Sequence, residues 1–283
     1  MTRTKQTLLI VALGAALLGG WFGVCRMFGW RARLAENNYQ ANLIRLETFL
    51  HQPTPPAVLI GSSMTGRLLP EYFDSTPLNG AANLGLDGSS PDLGLDVVLR
   101  RKDPPALVLV EVNTLLSQTS GNDATLRQAM ESFSFRLAGW MPFLRTELRL
   151  TSISYSTLKL WQDRRLTPSS SAPVALPPAD PVATPVQLDT RATALLSRHL
   201  ARLRELQSRG ARVILYQLPG GSETLPGFVA EWNRELQFPV LHLGSEMRQR
   251  GFAPAYTDGL HLTTPSAAQA SRVLAEIAAT TKP

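Results

Sequence analysis

Cysteine is almost absent from this 283-residue chain, in which Cys25 is the only one. A single cysteine cannot form a disulfide within the chain, and this is compatible with the cytosol and with a bacterial periplasm alike. The sequence also lacks a cluster of cysteine and histidine, a phosphate-binding loop and the glycine fingerprint of a dinucleotide-binding fold. We therefore expect no metal, nucleotide or redox cofactor.

Charged residues are also few, at 18 % of the chain, although the formal net charge is +6. The positive excess precedes the first acidic residue, Glu36, and consists of Arg3, Lys5, Arg26, Arg31 and Arg33. The remainder carries 23 basic and 22 acidic residues and is nearly neutral. A neutral domain does not attract a polyanion, so we predict no nucleic-acid partner.

A long apolar run lies between these N-terminal charges, in residues 7–28, TLLIVALGAALLGGWFGVCRMF. Its uncharged part is about long enough to cross a bilayer as a helix. Bulky Trp21 and Phe22 stand where a cleaved signal peptide would need small residues, so we favour a membrane anchor over residues 1–30. Basic residues flank both sides, and charge alone therefore leaves the orientation open.

The remainder reads as a connector followed by one domain. Leu43, Leu46 and Leu50 recur at helical spacing, which predicts a helical connector over residues 31–55. In residues 56–283, short apolar runs alternate with helical patterns; the runs are AVLIGSS, PALVLVEVN, RVILYQLP and FPVLHLG. This alternation predicts an α/β fold with three layers, α/β/α, around a mainly parallel sheet.

Two stretches interrupt the alternation. Residues 122–165 have a helical pattern rich in aromatic residues and arginine, and we interpret them as a helical insertion. Within them, residues 133–150 would form a lid, a glycan groove, a membrane-lying face or ordinary core packing. Residues 166–187 are rich in proline and serine and predict a flexible or extended excursion.

The first predicted strand ends in Gly61, Ser62 and Ser63. In open parallel sheets, ligands bind at the carboxyl edge of the strands, where these residues would lie. A serine in a tight turn before a helix is a nucleophile if a histidine reaches it. The competing interpretation is that the serines cap the next helix.

One histidine near the C-terminus has an acidic residue placed to orient it. Asp258 stands three residues before His261, whereas the other three histidines have threonine, leucine or proline at that position. A carboxylate that accepts from one imidazole nitrogen leaves the other free as a base, although Asp258 would also serve to hold a turn. His199 lies among leucines of an amphipathic helix, so we predict a structural role for it.

Four segments together resemble the four sequence blocks of the SGNH (GDSL-like) hydrolase family, in order and spacing. They are VLIGSSMTGRL, NLGLDGSSP, LVLVEVN and DGLHLTTPSAAQAS, within about residues 56–279. The resemblance implies that Ser63 is the nucleophile, and that Asp258 and His261 complete a triad. It also implies an oxyanion hole made by the amides of Ser63 and Gly88.

The third block departs from the family pattern. Members usually have Gly-x-Asn-Asp after the strand, whereas this chain has Glu111-Val-Asn113. Asn113 stands near enough to be the oxyanion asparagine of the family, and the alternative is that it caps the end of a strand.

The resemblance also implies a biological setting. Membrane-tethered members look like bacterial proteins that add or remove acetyl groups on exported polysaccharides, often beside a membrane-bound acyl-donor protein. This chain would then be a single-pass protein of the bacterial inner membrane whose catalytic domain faces the periplasm and acts on an exopolysaccharide or another envelope glycan. The alternatives are a lipase or thioesterase, and a non-catalytic scaffold of a polysaccharide synthesis or export complex.

Overall fold

The structure, a computed structural model, describes residues 2–32, 35–116, 121–165, 190–220 and 238–281. The chain divides into two compact units. The first, which we call the helical unit, comprises Met1–His51 and Leu126–Ser169. The second, which we call the sheet unit, comprises Gln52–Thr125 and Ser170–Pro283.

The sheet unit contains a five-stranded parallel sheet in the order β2-β1-β3-β4-β5. The strands are β1 (Ala57–Gly61), β2 (Ala82–Gly85), β3 (Leu107–Glu111), β4 (Arg212–Gln217) and β5 (Val240–His242). Every residue of β1 and β3 is buried, as expected for strands covered on both faces. The chain leaves β1 toward β2 on one side and returns to β3 on the other, so the strand order reverses between β1 and β3.

Helices cover both faces of this sheet. On one face lie α4 (Pro91–Leu99), which contacts β1, and α8 (Thr190–Ser208), which contacts α4 and β4. Gly94 allows α4 to approach, because a Cβ there would lie 2.5 Å from the Ile60 side chain. On the other face lie α9 (Leu243–Gln249) and α10 (Thr264–Thr280), which pack on each other. The predicted α/β fold with a parallel sheet is confirmed, and the architecture fits three layers.

The strand β2 is a difference from the sequence-based prediction, which assigned no strand to residues 82–85. It has only four residues and includes a glycine, so no apolar run marks it. The excursion expected over 166–187 lies outside the described residues.

A buried polar cluster joins α4 to α8. Asp92 accepts from Arg202 at 2.5 Å and from Arg198 at 2.9 Å, and His199 Nδ1 lies 3.8 Å from the same carboxylate oxygen. Burial raises the pKa of Asp92, but the two arginines outweigh it and bring the pKa below its ordinary value. Burial lowers the pKa of His199 to about 4, against the opposing effect of Asp92.

The helical unit contains α1 (Arg3–Phe28), α2 (Asn38–His51), α6 (Phe133–Trp140) and α7 (Leu150–Arg165), and α5 (Gly121–Glu131) ends in it. Within the described residues, α1 is the one helix long and apolar enough to cross a membrane. The end of α1 is attached to the turns between α6 and α7. Trp21 Nε1 donates to Leu148 O at 2.9 Å, and the Phe22 and Phe143 rings meet edge-on with centroids 6.4 Å apart.

Candidate active site

The nucleophile candidate follows the end of β1 without any intervening loop. The short helix α3 (Ser63–Gly66) starts directly after Ser62, whose hydroxyl accepts from Met64 N at 3.2 Å and so caps it. Gly61 is required here, because an added Cβ would lie 2.1 Å from Thr65 Oγ1 and 2.3 Å from Glu111 Oε2. Ser62 therefore performs the capping role, and Ser63 is the first helical residue.

Glu111, the last residue of β3, accepts hydrogen bonds from this turn. Its carboxylate accepts from Ser62 N and Ser62 Oγ at 2.9 Å, from Thr65 Oγ1 at 2.5 Å and from Thr114 Oγ1 at 3.1 Å. Glu111 is fully buried, and a buried carboxylate needs several such donors to offset its lost hydration.

The same network continues to Tyr216 on β4, whose hydroxyl lies 2.6 Å from Thr65 Oγ1. Burial, and then the Glu111 carboxylate, raise the pKa of Tyr216 well above its ordinary value, so the phenol keeps its proton. The only hydrogen of the Thr65 hydroxyl goes to Glu111, and Tyr216 therefore donates to Thr65. Three neighbouring strands, β1, β3 and β4, thus set the position of α3.

On its other side, α3 rests on β2. A Cβ at Gly85 would lie 2.2 Å from Gly66 N, so the backbones are in direct contact there. Asn83 Nδ2 donates to Thr65 O at 2.8 Å and to Leu68 O at 2.6 Å, while its Oδ1 accepts from Gly85 N at 2.6 Å. The two bonds from Nδ2 restrain the helix that begins with Ser63 and the turn after it, and the bond from Gly85 N fixes the Asn83 amide.

Asp258 and His261 lie on a tight loop closed by an antiparallel bridge between Tyr256 and Leu262. Gly259 adopts φ 80°, a left-handed conformation that favours glycine. Asp258 Oδ1 accepts from Leu260 N at 3.1 Å and from His261 N at 2.8 Å. The carboxylate thus holds the loop and faces the imidazole at the same time, so the two interpretations of Asp258 are compatible.

The loop brings the two residues to Ser63. Asp258 Oδ2 lies 2.6 Å from His261 Nδ1, and His261 Nε2 lies 2.9 Å from Ser63 Oγ. The backbone amide of His261, followed by its imidazole, lowers the pKa of Asp258. An ionised Asp258 accepts from Nδ1–H, which leaves Nε2 to accept from the Ser63 hydroxyl. These are the relations of a nucleophile, a base and an orienting acid, joined across 198 residues.

Gly88 and Asn113, the two further predicted oxyanion residues, follow β2 and β3, the strands on either side of β1. Gly88 has φ 68°, and a Cβ there would lie 2.8 Å from Asn122 Nδ2. Asn113 Nδ2 donates to Leu218 O at 3.0 Å, and its Oδ1 accepts from Leu218 N at 2.8 Å. Asn113 therefore joins the ends of β3 and β4, while its role toward an oxyanion stays a prediction.

Sequence reasoning did not find the residues that position the turn. Glu111 stands out in the sequence only as a departure from a family pattern, and no pattern assigns a role to Thr65, Asn83 or Tyr216. The available signal was a polar or ionisable group within or at the end of an apolar strand, as in LVLVE and RVILYQ. Within the described residues, no group of three or more His, Cys, Asp and Glu is arranged to hold a metal ion.

Comparisons with family models, with curated proteins and with solved structures found no match. The function of the site must therefore be inferred from the geometry of its residues.

Proposed function

We propose that this protein is a serine-dependent acyltransferase or esterase of the SGNH (GDSL-like) type. The observation that carries the proposal is the hydrogen-bonded series from Asp258 through His261 to Ser63, with 2.6 Å and 2.9 Å between the bonding atoms. A serine that only caps a helix needs no hydrogen bond to a histidine, and Ser62 already caps α3.

In the first half of the reaction, Ser63 Oγ attacks the carbonyl carbon of an ester while His261 Nε2 removes the hydroxyl proton. Asp258 keeps His261 in the required tautomer and stabilises the imidazolium that forms. His261 then returns the proton to the leaving alcohol, and the acyl group remains on Ser63. In the second half, His261 activates water or a sugar hydroxyl, which takes the acyl group and frees Ser63.

The developing oxyanion would be bound by the amides of Ser63 and Gly88 and by the second N–H of the Asn113 side chain. The bonds to Leu218 support this role for Asn113, because they hold the amide in one orientation and use only one of its two N–H groups. Each donor of this kind is typically worth about 3 kcal/mol of barrier.

The substrate and setting that we propose are acetyl esters of a bacterial exopolysaccharide or envelope glycan at the inner membrane. The helix α1 supports this setting, because it would tether the site close to an exported polymer. The protein would be single-pass with its catalytic site in the periplasm, and a membrane-bound acyl-donor protein would be its partner.

The test is single-turnover release of p-nitrophenol from its acetate ester by the full chain in detergent micelles, with and without free oligosaccharides. We expect a burst that is lost in Ser63→Ala and in His261→Ala. The exposed serine variant Ser208→Ala is the matched control and should keep the burst. Transfer of acetyl to sugar would establish a transferase, and transfer to water an esterase. An unchanged burst in Ser63→Ala would refute the proposal, and a folded but unreactive wild type would favour the scaffold.

A further inference from the structure

The helix α6 in the helical unit presents its aromatic face outward. Phe133 and Trp140 are 78 % and 87 % exposed, and they lie seven residues apart, on the same face as the half-exposed Leu137. Phe135 and Ala138 are the buried residues of this helix. A helix on a water-facing surface would place a polar face where α6 has two large aromatic rings.

The helix α7 also exposes large apolar residues. Leu150, Leu158 and Trp161 are exposed by 59 %, 63 % and 50 %, and their spacing places them on one face. Ser152 and Ser156 are buried, and Ser152 Oγ accepts from Gln40 Nε2 at 2.8 Å. The helix therefore buries Ile153 beside these serines but leaves leucine and tryptophan outward, where water favours polar side chains.

The start of α6 and the start of α7 line one apolar groove of about 650 Å³ within the helical unit. Its walls include Phe133 and Leu137 of α6 and Leu150 of α7. Leu17, Leu18 and Trp21 of α1 also line it.

The position of α1 indicates what fills the groove. Leu18 lies about 15 Å along the helix from Phe28, and so within the apolar length of α1 rather than beyond its end. Where α1 spans a bilayer, a groove at that level opens to lipid hydrocarbon and not to water. Residues 126–165 also carry seven basic and three acidic side chains, a balance that favours anionic headgroups.

We propose that α6 and α7 lie in the membrane that α1 spans, with their outward faces against lipid, and that the groove holds an acyl chain of an anionic phospholipid. This inference rests on the membrane attachment in the proposed function, but not on the chemistry of Ser63. It assigns a binding surface to the segment whose role the sequence left open.

The test measures the membrane depth of single cysteines in the full chain. In a Cys25→Ala background, the variants Trp140→Cys and Leu158→Cys receive an environment-sensitive fluorophore. The chain is then reconstituted in phosphatidylglycerol vesicles that contain acyl chains labelled with a quencher. Leu13→Cys reports on α1, and Gln128→Cys, an exposed polar position on α5, is the matched control. Fluorophosphonate labelling of Ser63 in the same samples reports separately on the active site.

We expect quenching by the labelled acyl chains at 140 and 158 to be within about twofold of that at 13, and iodide in the water to quench only at 128. Iodide quenching at 140 and 158, with lipid quenching kept at 13, would overturn the inference while the anchor stands. Protection of 140 and 158 from both quenchers would also overturn it, because a protein surface would then cover them. Loss of lipid quenching at 13 would refute the anchor together with this inference.

Discussion

The sheet unit and the helix α7 of the helical unit differ in the residues that they turn outward. In the sheet unit, Leu109 is fully buried, and charged residues such as Arg204 and Glu205 are on the outside. In the helical unit, Leu158 and Trp161 are outside and two serines of the same helix are inside. The difference teaches that burial follows the surrounding solvent: water selects the first arrangement, and a lipid phase would select the second.

The largest expected effect separates the functions of the two units. Ser63→Ala should reduce the acyl-transfer rate by at least about 10³-fold, because the nucleophile is lost. Its association with vesicles should be unchanged, since no residue of α1, α6 or α7 is altered. Burst kinetics measure the acyl-transfer rate, and vesicle flotation of the same preparation measures the association. If Ser63→Ala lost its association with vesicles together with its acyl-transfer rate, the two units would not be independent.

The next effect tests the comparison directly through two leucine substitutions. Leu109→Ser in β3 should lower the free energy of unfolding by about 4 kcal/mol, because it loses buried apolar area and buries a hydroxyl. Leu158→Ser, at a side chain 63 % exposed, should change it by less than about 0.5 kcal/mol. Urea unfolding of the full chain in detergent micelles measures both. Similar losses of unfolding free energy in the two variants would contradict the difference between the buried and the outward leucine.

Glu111→Leu should have a somewhat smaller effect, a loss of about 3 kcal/mol, because the amide and hydroxyls that it accepts from would be left buried without an acceptor. The burst rate should fall as well, since Ser62 and Thr65 set the position of α3. Glu205→Leu, at an exposed carboxylate, is the control and should leave both quantities nearly unchanged. Normal stability of Glu111→Leu would mean that this network does not hold the turn.

The smallest effect, counted per pH unit, concerns the buried His199 in the sheet unit. Its folded-state pKa of about 4 lies below the ordinary value near 6.5, so the unfolded chain binds a proton more readily than the folded chain. The resulting stability is complete above pH 6.5 and is lost as the pH falls toward 4. His199→Gln should flatten this dependence by up to about 1.4 kcal/mol per pH unit. Equal slopes for the two proteins, measured by urea unfolding at each pH, would contradict this assignment.

The sequence predicted the features that leave a local pattern. Apolar runs marked β1, β3 and β4, and the spacing of Asp258 and His261 marked their pairing. The four-residue strand β2 left no such run. The partner of Asn113 is Leu218, 105 residues further along, and no spacing rule connects two residues that only the fold brings together. Periodicity likewise finds α7 as a helix without saying which face is turned outward, because an inverted helix has the same period.

The most direct test of the central claim is to locate the serine that reacts with a fluorophosphonate in the full chain, by mass spectrometry of the digested protein. We predict a phosphonate adduct on Ser63 that is absent in His261→Ala and kept in Ser62→Ala, because only Ser63 is hydrogen-bonded to the imidazole while Ser62 is engaged with Glu111. An adduct on another serine, an adduct that survives in His261→Ala, or no adduct on the folded wild type would contradict the claim that Ser63 is an activated nucleophile.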